Sequence, residues 1–174
     1  MKRLIFLSMF VLFFSCVKDK EVVEKVIPYN GPMMIAENIE TIYSDSAYTK
    51  LKLEAPVQYV LQNNNREFPQ GIYVEFFDKG ADPKAILTAN YAIFYKDQNL
   101  YKVSGKVIVD NKREGKKLST EELFWSPVTS KIYTDKFVII QTPSETILGD
   151  YGLDAKQDFS SYSIHGPHGN LSVK

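Results

Sequence analysis

The sequence predicts an all-β fold, a barrel, roll or sandwich of many short antiparallel strands. From Met33 onward no long stretch carries the i, i+3, i+4, i+7 apolar spacing of an amphipathic helix. Clusters of Gly, Pro, Asn, Asp and Ser instead return at roughly ten-residue intervals, the rhythm of strands and turns. The 11 Tyr and 11 Phe favour a pleated surface over a helical bundle.

Residues 34–43 form the first predicted strand, followed by a turn at Ser44-Asp45-Ser46. Residues 48–61 then alternate, with Leu51, Leu53, Ala55, Val57, Tyr59 and Leu61 on one face and Lys52, Glu54, Pro56 and Gln58 on the other. Pro56 donates no backbone hydrogen bond, so this strand lies at an edge or is bulged there. After a polar turn at 62–66, residues 71–77 oppose Ile72, Val74 and Phe76 to Tyr73, Glu75 and Phe77.

Beyond the turn at 78–83, one strand from Ala85 sets Ala85, Leu87, Ala89, Tyr91 and Ile93 against Ile86, Thr88, Asn90 and Ala92. Following the turn at 96–99, the chain returns with Val103, Gly105, Val107 and Val109 on the apolar face, turns at 111–117, and returns again to Trp125. A turn at 126–130, a strand pair or one bent strand over 131–141, and strands over 147–155 and 159–164 complete the pattern. His165-Gly166-Pro167-His168-Gly169 then breaks it. Tyr91, Leu123 and Leu153 recur about 30 residues apart, as do Gly105 and Asp135, so the unit is a pair of strands with one apolar face that must stack on its neighbours.

The chain carries 21 basic and 21 acidic residues. Without residues 1–15 it has 19 basic and 21 acidic, which excludes a broad electrostatic nucleic-acid surface. The cluster Lys112, Arg113, Lys116 and Lys117 reads as a solvated hairpin turn. The N-terminus has the charged start and short apolar run of an export signal over 1–15. As a helix, residues 4–17 span roughly 21 Å, short of a ~30 Å hydrocarbon core. Cys16, the single cysteine, sits where that signal ends and resembles the lipobox cysteine of bacterial lipoproteins, which makes it the expected lipid-attachment residue. A lipidated Cys16 leaves no thiol for a disulfide and holds the protein on a membrane face. Residues 16–32 read as a tether reaching at most about 50 Å, and residues 33–174 as the β domain.

No signature of catalysis stands out. His165 and His168 lie in a Gly/Pro loop without a further ligand pair, so no metal site is expected. Glu121 and Glu122 point to opposite faces of a strand and cannot cooperate as a glycosidase pair. There is no phosphate-binding glycine loop and no nucleophile elbow; neither enzyme activity nor a cofactor is expected.

Seven stretches, 53–56 (LEAP), 68–71 (FPQG), 87–91 (LTANY), 100–107 (LYKVSGKV), 118–125 (LSTEELFW), 132–139 (IYTDKFVI) and 149–153 (GDYGL), come in an order that resembles the LptC family. That is the periplasmic component of the lipopolysaccharide export machine. The resemblance implies an open antiparallel β-jellyroll that holds lipopolysaccharide acyl chains. It implies as partners the inner-membrane ABC transporter subunits and a periplasmic bridge protein of the LptA type, with the protein in the periplasm and anchored to the inner membrane. Members commonly keep a membrane-spanning N-terminal helix, from which the lipobox-like Cys16 departs.

On this reading the groove is lined by Leu51, Leu53, Ala55, Val57, Tyr59, Val74, Phe76, Leu87, Ala89, Tyr91, Ile93, Val103, Gly105, Val107, Leu123, Trp125 and Ile139. Its small residues Ala55, Ala89 and Gly105 either leave room for lipid or alternate with large ones to fill a closed core. Partners would add strands at the free edges, expected near residues 35–43 and 161–164. A scaffold lipoprotein and a closed barrel for a small apolar ligand are the competing readings.

Overall fold

The computed structural model describes residues 28–78 and 82–169. The export signal, Cys16 and most of the tether lie outside the described residues. Among the described residues no helix is long and apolar enough to cross a membrane.

Fourteen strands form one antiparallel sheet: β1 (Met34–Asp45), β2 (Tyr48–Val60), β3 (Arg66–Phe68), β4 (Ile72–Phe76), β5 (Ala85–Ala89), β6 (Tyr91–Tyr95), β7 (Leu100–Asn111), β8 (Lys116–Ser126), β9 (Lys131–Thr134), β10 (Val138–Gln141), β11 (Thr146–Gly149), β12 (Leu153–Lys156), β13 (Tyr162–Ile164) and β14 (Pro167–Gly169). The sheet is jellyroll-like and does not close into a barrel.

Its pairings separate into two half-sheets with matching strand order. In the first, the N-terminal half of β2 pairs β4, β4 pairs β5, and β5 pairs the C-terminal half of β7. That half of β7 pairs the start of β8, and β10, β11 and β14 follow. In the second, the C-terminal half of β2 pairs β3, then come β6, the start of β7, the end of β8, β9, β12 and β13. β1 runs along β2 over both halves. Each long run of chain therefore passes through both half-sheets and is broken where they join.

The join is a crease that crosses β1, β2, β7 and β8 and elsewhere falls between consecutive strands. In β1 and β2, Asn38 (φ 51°) and Pro56 face each other without a ladder pair. In β7, the ladder to β8 shifts register between Ser104 and Val107, where Gly105 (φ 75°) and Lys106 (φ 51°) form a bulge. Asn90 separates β5 from β6 and donates its backbone N–H to Gly105 O at 2.9 Å. Further along lie Gly152 (φ 86°), between β11 and β12, and Gly166 (φ 61°), between β13 and β14. The thirty-residue recurrence in the sequence is one passage down and back across this crease, but Tyr91 is one residue out of step with it: through Val103 the β6 residue level with Leu123 is Ala92, and Tyr91 is level with Glu122.

Three sequence expectations change. The strand beginning at Ala85 is two strands, as is the one over 147–155, because the crease interrupts both. The 165–169 segment does not end the β pattern: Pro167–Gly169 is β14 and pairs β11. β2 is not an edge strand, since β1 covers it, and Pro56 is tolerated because it sits at the crease.

Candidate functional site: the apolar interior between the half-sheets

The two half-sheets face each other over a single apolar core. Leu51, Leu53, Ala55, Val74, Phe76, Leu87, Ala89, Val103, Val107, Leu123 and Trp125, all expected to face inward, are buried in it. Phe76 of the first half-sheet meets Trp125 of the second edge-on at 5.3 Å, and Tyr101 stacks on Trp125 at 4.6 Å. Burial pushes the Tyr101 phenol above its ordinary pKa.

Six expected groove residues lie elsewhere. Strict alternation carried the apolar face across the crease, but the crease exchanges the two faces. In β2 burial moves from Leu51, Leu53 and Ala55 to Gln58, leaving Val57 and Tyr59 half-buried. In β5 and β6 it moves from Ala85, Leu87 and Ala89 to Ala92 and Phe94, leaving Tyr91 and Ile93 on the outer face. There the Tyr91 hydroxyl donates to Glu67 Oε1 at 2.9 Å, and partial burial plus that bond push its pKa up to about 12. Gly105 belongs to the bulge itself and is half-buried, and Ile139 is half-buried between core residues Val138 and Ile140.

The sequence reading also missed core members. Ala92 was expected on the opposite face, Phe94 two residues on was not singled out, and Phe68 stands in β3, a strand too short to show alternation. Phe159, expected to open the strand over 159–164, lies instead in the β12–β13 turn, fully buried with φ 53°, and the strand begins only at Tyr162.

That turn joins the half-sheets on the side away from the crease. The Asp158 carboxylate meets Lys84 Nζ at 2.7 Å, and the Asp158 carbonyl accepts from Asn111 Nδ2 at 2.9 Å. Gln157 Oε1 accepts from Trp125 Nε1 at 2.9 Å, and Phe159 stacks on Tyr162 at 5.0 Å. Burial alone would raise the Asp158 pKa, but hydrogen bonds from Lys84 and Ser160 outweigh it and hold the carboxyl below its usual range. The same contact raises Lys84. Residues 157–160 thus act as a clasp across the mouth of the roll.

Among the described residues, two depressions bring the interior close to the surface. At the crease beside β1, Ile39, Ala55, Pro56, Gly71, Ile72 and Ala89 border an open depression of about 570 Å³. Beside the clasp, a second of about 510 Å³ reaches down to Leu51 and Phe76. Two of the three small residues singled out in the sequence, Ala55 and Ala89, line the first opening. The edges are also exposed: among the described residues β1 pairs only with β2, and Ile35, Ile42 and Tyr43 are each more than half exposed.

His165 and His168 contact Asp154 and Asp150, each at 3.2 Å, on the exposed surface. Among the described residues no three side chains are grouped to hold a metal ion.

The model of one family, described as "Lipopolysaccharide-assembly, LptC-related", matches residues 3–153. The chain belongs to the LptC family. Comparison with curated proteins finds no match. Membership gives this LptC-family protein a general role in lipopolysaccharide export, periplasmic and membrane-associated, in a family that is non-catalytic. The matched stretch ends at Leu153, the first residue of β12, so the clasp, β13 and β14 lie beyond it.

Proposed function

We propose that this protein carries lipopolysaccharide by taking its acyl chains between the two half-sheets. It receives the lipid from the inner-membrane ABC transporter subunits and hands it to a bridge protein of the LptA type. Strand addition at the free edges aligns its interior with theirs. Residues 16–32 tether the domain to a lipidated Cys16 at the inner membrane. One observation supports the reading most: an unbroken apolar interior lies in a roll that is left open, with β1 at one edge and β13 and β14 at the other.

The energetics fit. A saturated chain of a dozen carbons gains on the order of 10 kcal/mol on leaving water, at about 0.8 kcal/mol per CH₂. The interior is closely packed, with Trp125, Leu87, Val103 and Leu123 fully buried, so lipid enters only as the half-sheets part. The crease supplies a flexing line and the clasp a releasable contact.

The same close packing favours a second reading, a scaffold that only holds partners together. Depletion separates the two. A carrier predicts that newly made lipopolysaccharide stops reaching the outer leaflet and accumulates at the inner membrane, and that a variant with an intact fold but a blocked interior does not restore delivery. Undiminished delivery after depletion supports the scaffold.

A further inference from the structure

The depression beside the clasp contains a charge arrangement that the apolar interior does not explain. Lys131 of β9 and Lys156 of β12 are direct cross-strand partners, both exposed and both bordering this opening. Like charges directly opposite each other destabilise a sheet. Lys50 of β2, next to core residue Leu51, borders the same opening on the first half-sheet. None of the three forms an ion pair with a described residue, a state they share with Lys96, Lys106, Lys112 and Lys117; what sets Lys131 and Lys156 apart is that they are opposed across the ladder at an opening. Three acids share the rim. Asp158 is occupied by Lys84 and Ser160, while Asp45 and Asp78 stand with Lys50 on the first half-sheet. The cationic side of the mouth is therefore the Lys131–Lys156 pair. The same pair borders a neighbouring depression of about 430 Å³ that includes Ser161, Ser163 and Asp154, whose carboxylate contacts His165.

We propose that Lys131 and Lys156 form a binding site for the phosphate group of an amphiphile whose acyl chains enter the roll past Leu51 and Phe76. A phosphate between the two lysines turns a repulsive pair into two charge-assisted contacts. The floor of the opening is the apolar core itself, so one ligand meets both: anionic head at the rim, chains within. The inference rests on the carrier reading and adds the group that orients the lipid in the mouth.

The test uses the full chain in detergent with three probes: diphosphoryl lipid A, the same lipid dephosphorylated, and inorganic phosphate. The wild type is expected to bind the diphosphoryl form about tenfold more tightly, a preference that weakens with salt. Lys131→Gln/Lys156→Gln should erase that preference and leave affinity for the dephosphorylated lipid unchanged. Lys156→Glu, which gives Lys131 an opposite partner, should erase it while raising the thermal midpoint, so a loss cannot be ascribed to misfolding. Inorganic phosphate that perturbs the Lys131 and Lys156 ammonium resonances marks a site for phosphate as such. Silence there, with the lipid preference intact, marks a headgroup site that needs its chains. Absence of the preference in wild type together with no response to phosphate overturns the proposal, as does a preference that survives in the double variant. If neither lipid binds while phosphate still acts at the two lysines, the carrier reading fails and the anion site stands.

Discussion

Gly152→Ala is expected to lower the unfolding free energy by about 3 kcal/mol, combining left-handed backbone strain with a steric clash. Gly152 has φ 86°, and a Cβ built on it falls 1.9 Å from the Thr134 carbonyl oxygen. That neighbour is backbone, at the end of β9, and cannot swing aside. Relief requires β9 and β12 to separate where they pair, at Leu153 and Thr134, and this loosens the second half-sheet at the crease. Gly71 offers a parallel case, with φ 89° and the Ala89 carbonyl 2.3 Å from its missing Cβ. The check is the urea midpoint of each alanine variant; values within a few tenths of wild type would mean that the crease tolerates movement these contacts forbid.

Trp125→Ala should cost still more, about 4 kcal/mol, in the range for truncating a fully buried large aromatic. The substitution removes the edge contact with Phe76, the stack on Tyr101 and the hydrogen bond to Gln157. It therefore undoes at one residue both the packing between half-sheets and one attachment of the clasp. Trp125→Phe keeps most of the packing and loses the hydrogen bond, so it should retain well over half of the lost stability. Equilibrium unfolding of the two variants separates these contributions. A carrier also predicts that saturating lipid restores part of the alanine variant's stability, because a ligand that binds only the folded state stabilises it by mass action.

How much of this was readable in the sequence divides at the crease. Within a half-sheet, alternation was reliable: Leu51, Leu53 and Ala55 in β2, Leu87 and Ala89 in β5, and Leu123 and Trp125 in β8 all face the core as expected. Across it, alternation failed, because a bulge, a proline or a lone asparagine moves the pleat by one residue and exchanges the faces. Asn90 lies in the run Ala89-Asn90-Tyr91-Ala92-Ile93, where both faces carry apolar residues; nothing in composition marks the switch to Ala92 and Phe94. The recurrence of Tyr91, Leu123 and Leu153 marks strands that follow the crease, but it aligns Tyr91 of the outer face with buried Leu123 and Leu153 and so misses the switch to Ala92. The clasp was beyond periodic reasoning, being a turn whose buried Phe159 and Lys84–Asp158 contact depend on residues 74 apart in sequence.

The central claim, that lipid occupies the space between the half-sheets, is tested most directly by site-specific photo-crosslinking in living cells, with neighbouring positions of opposite facing compared. Crosslinkers at Leu53, Ala92 and Val107, all buried in the interior, should capture lipopolysaccharide. Those at Lys52 and Tyr91, one residue away on the outer face, should not. Equal capture at both sets, or capture confined to Lys52 and Tyr91, would contradict the account.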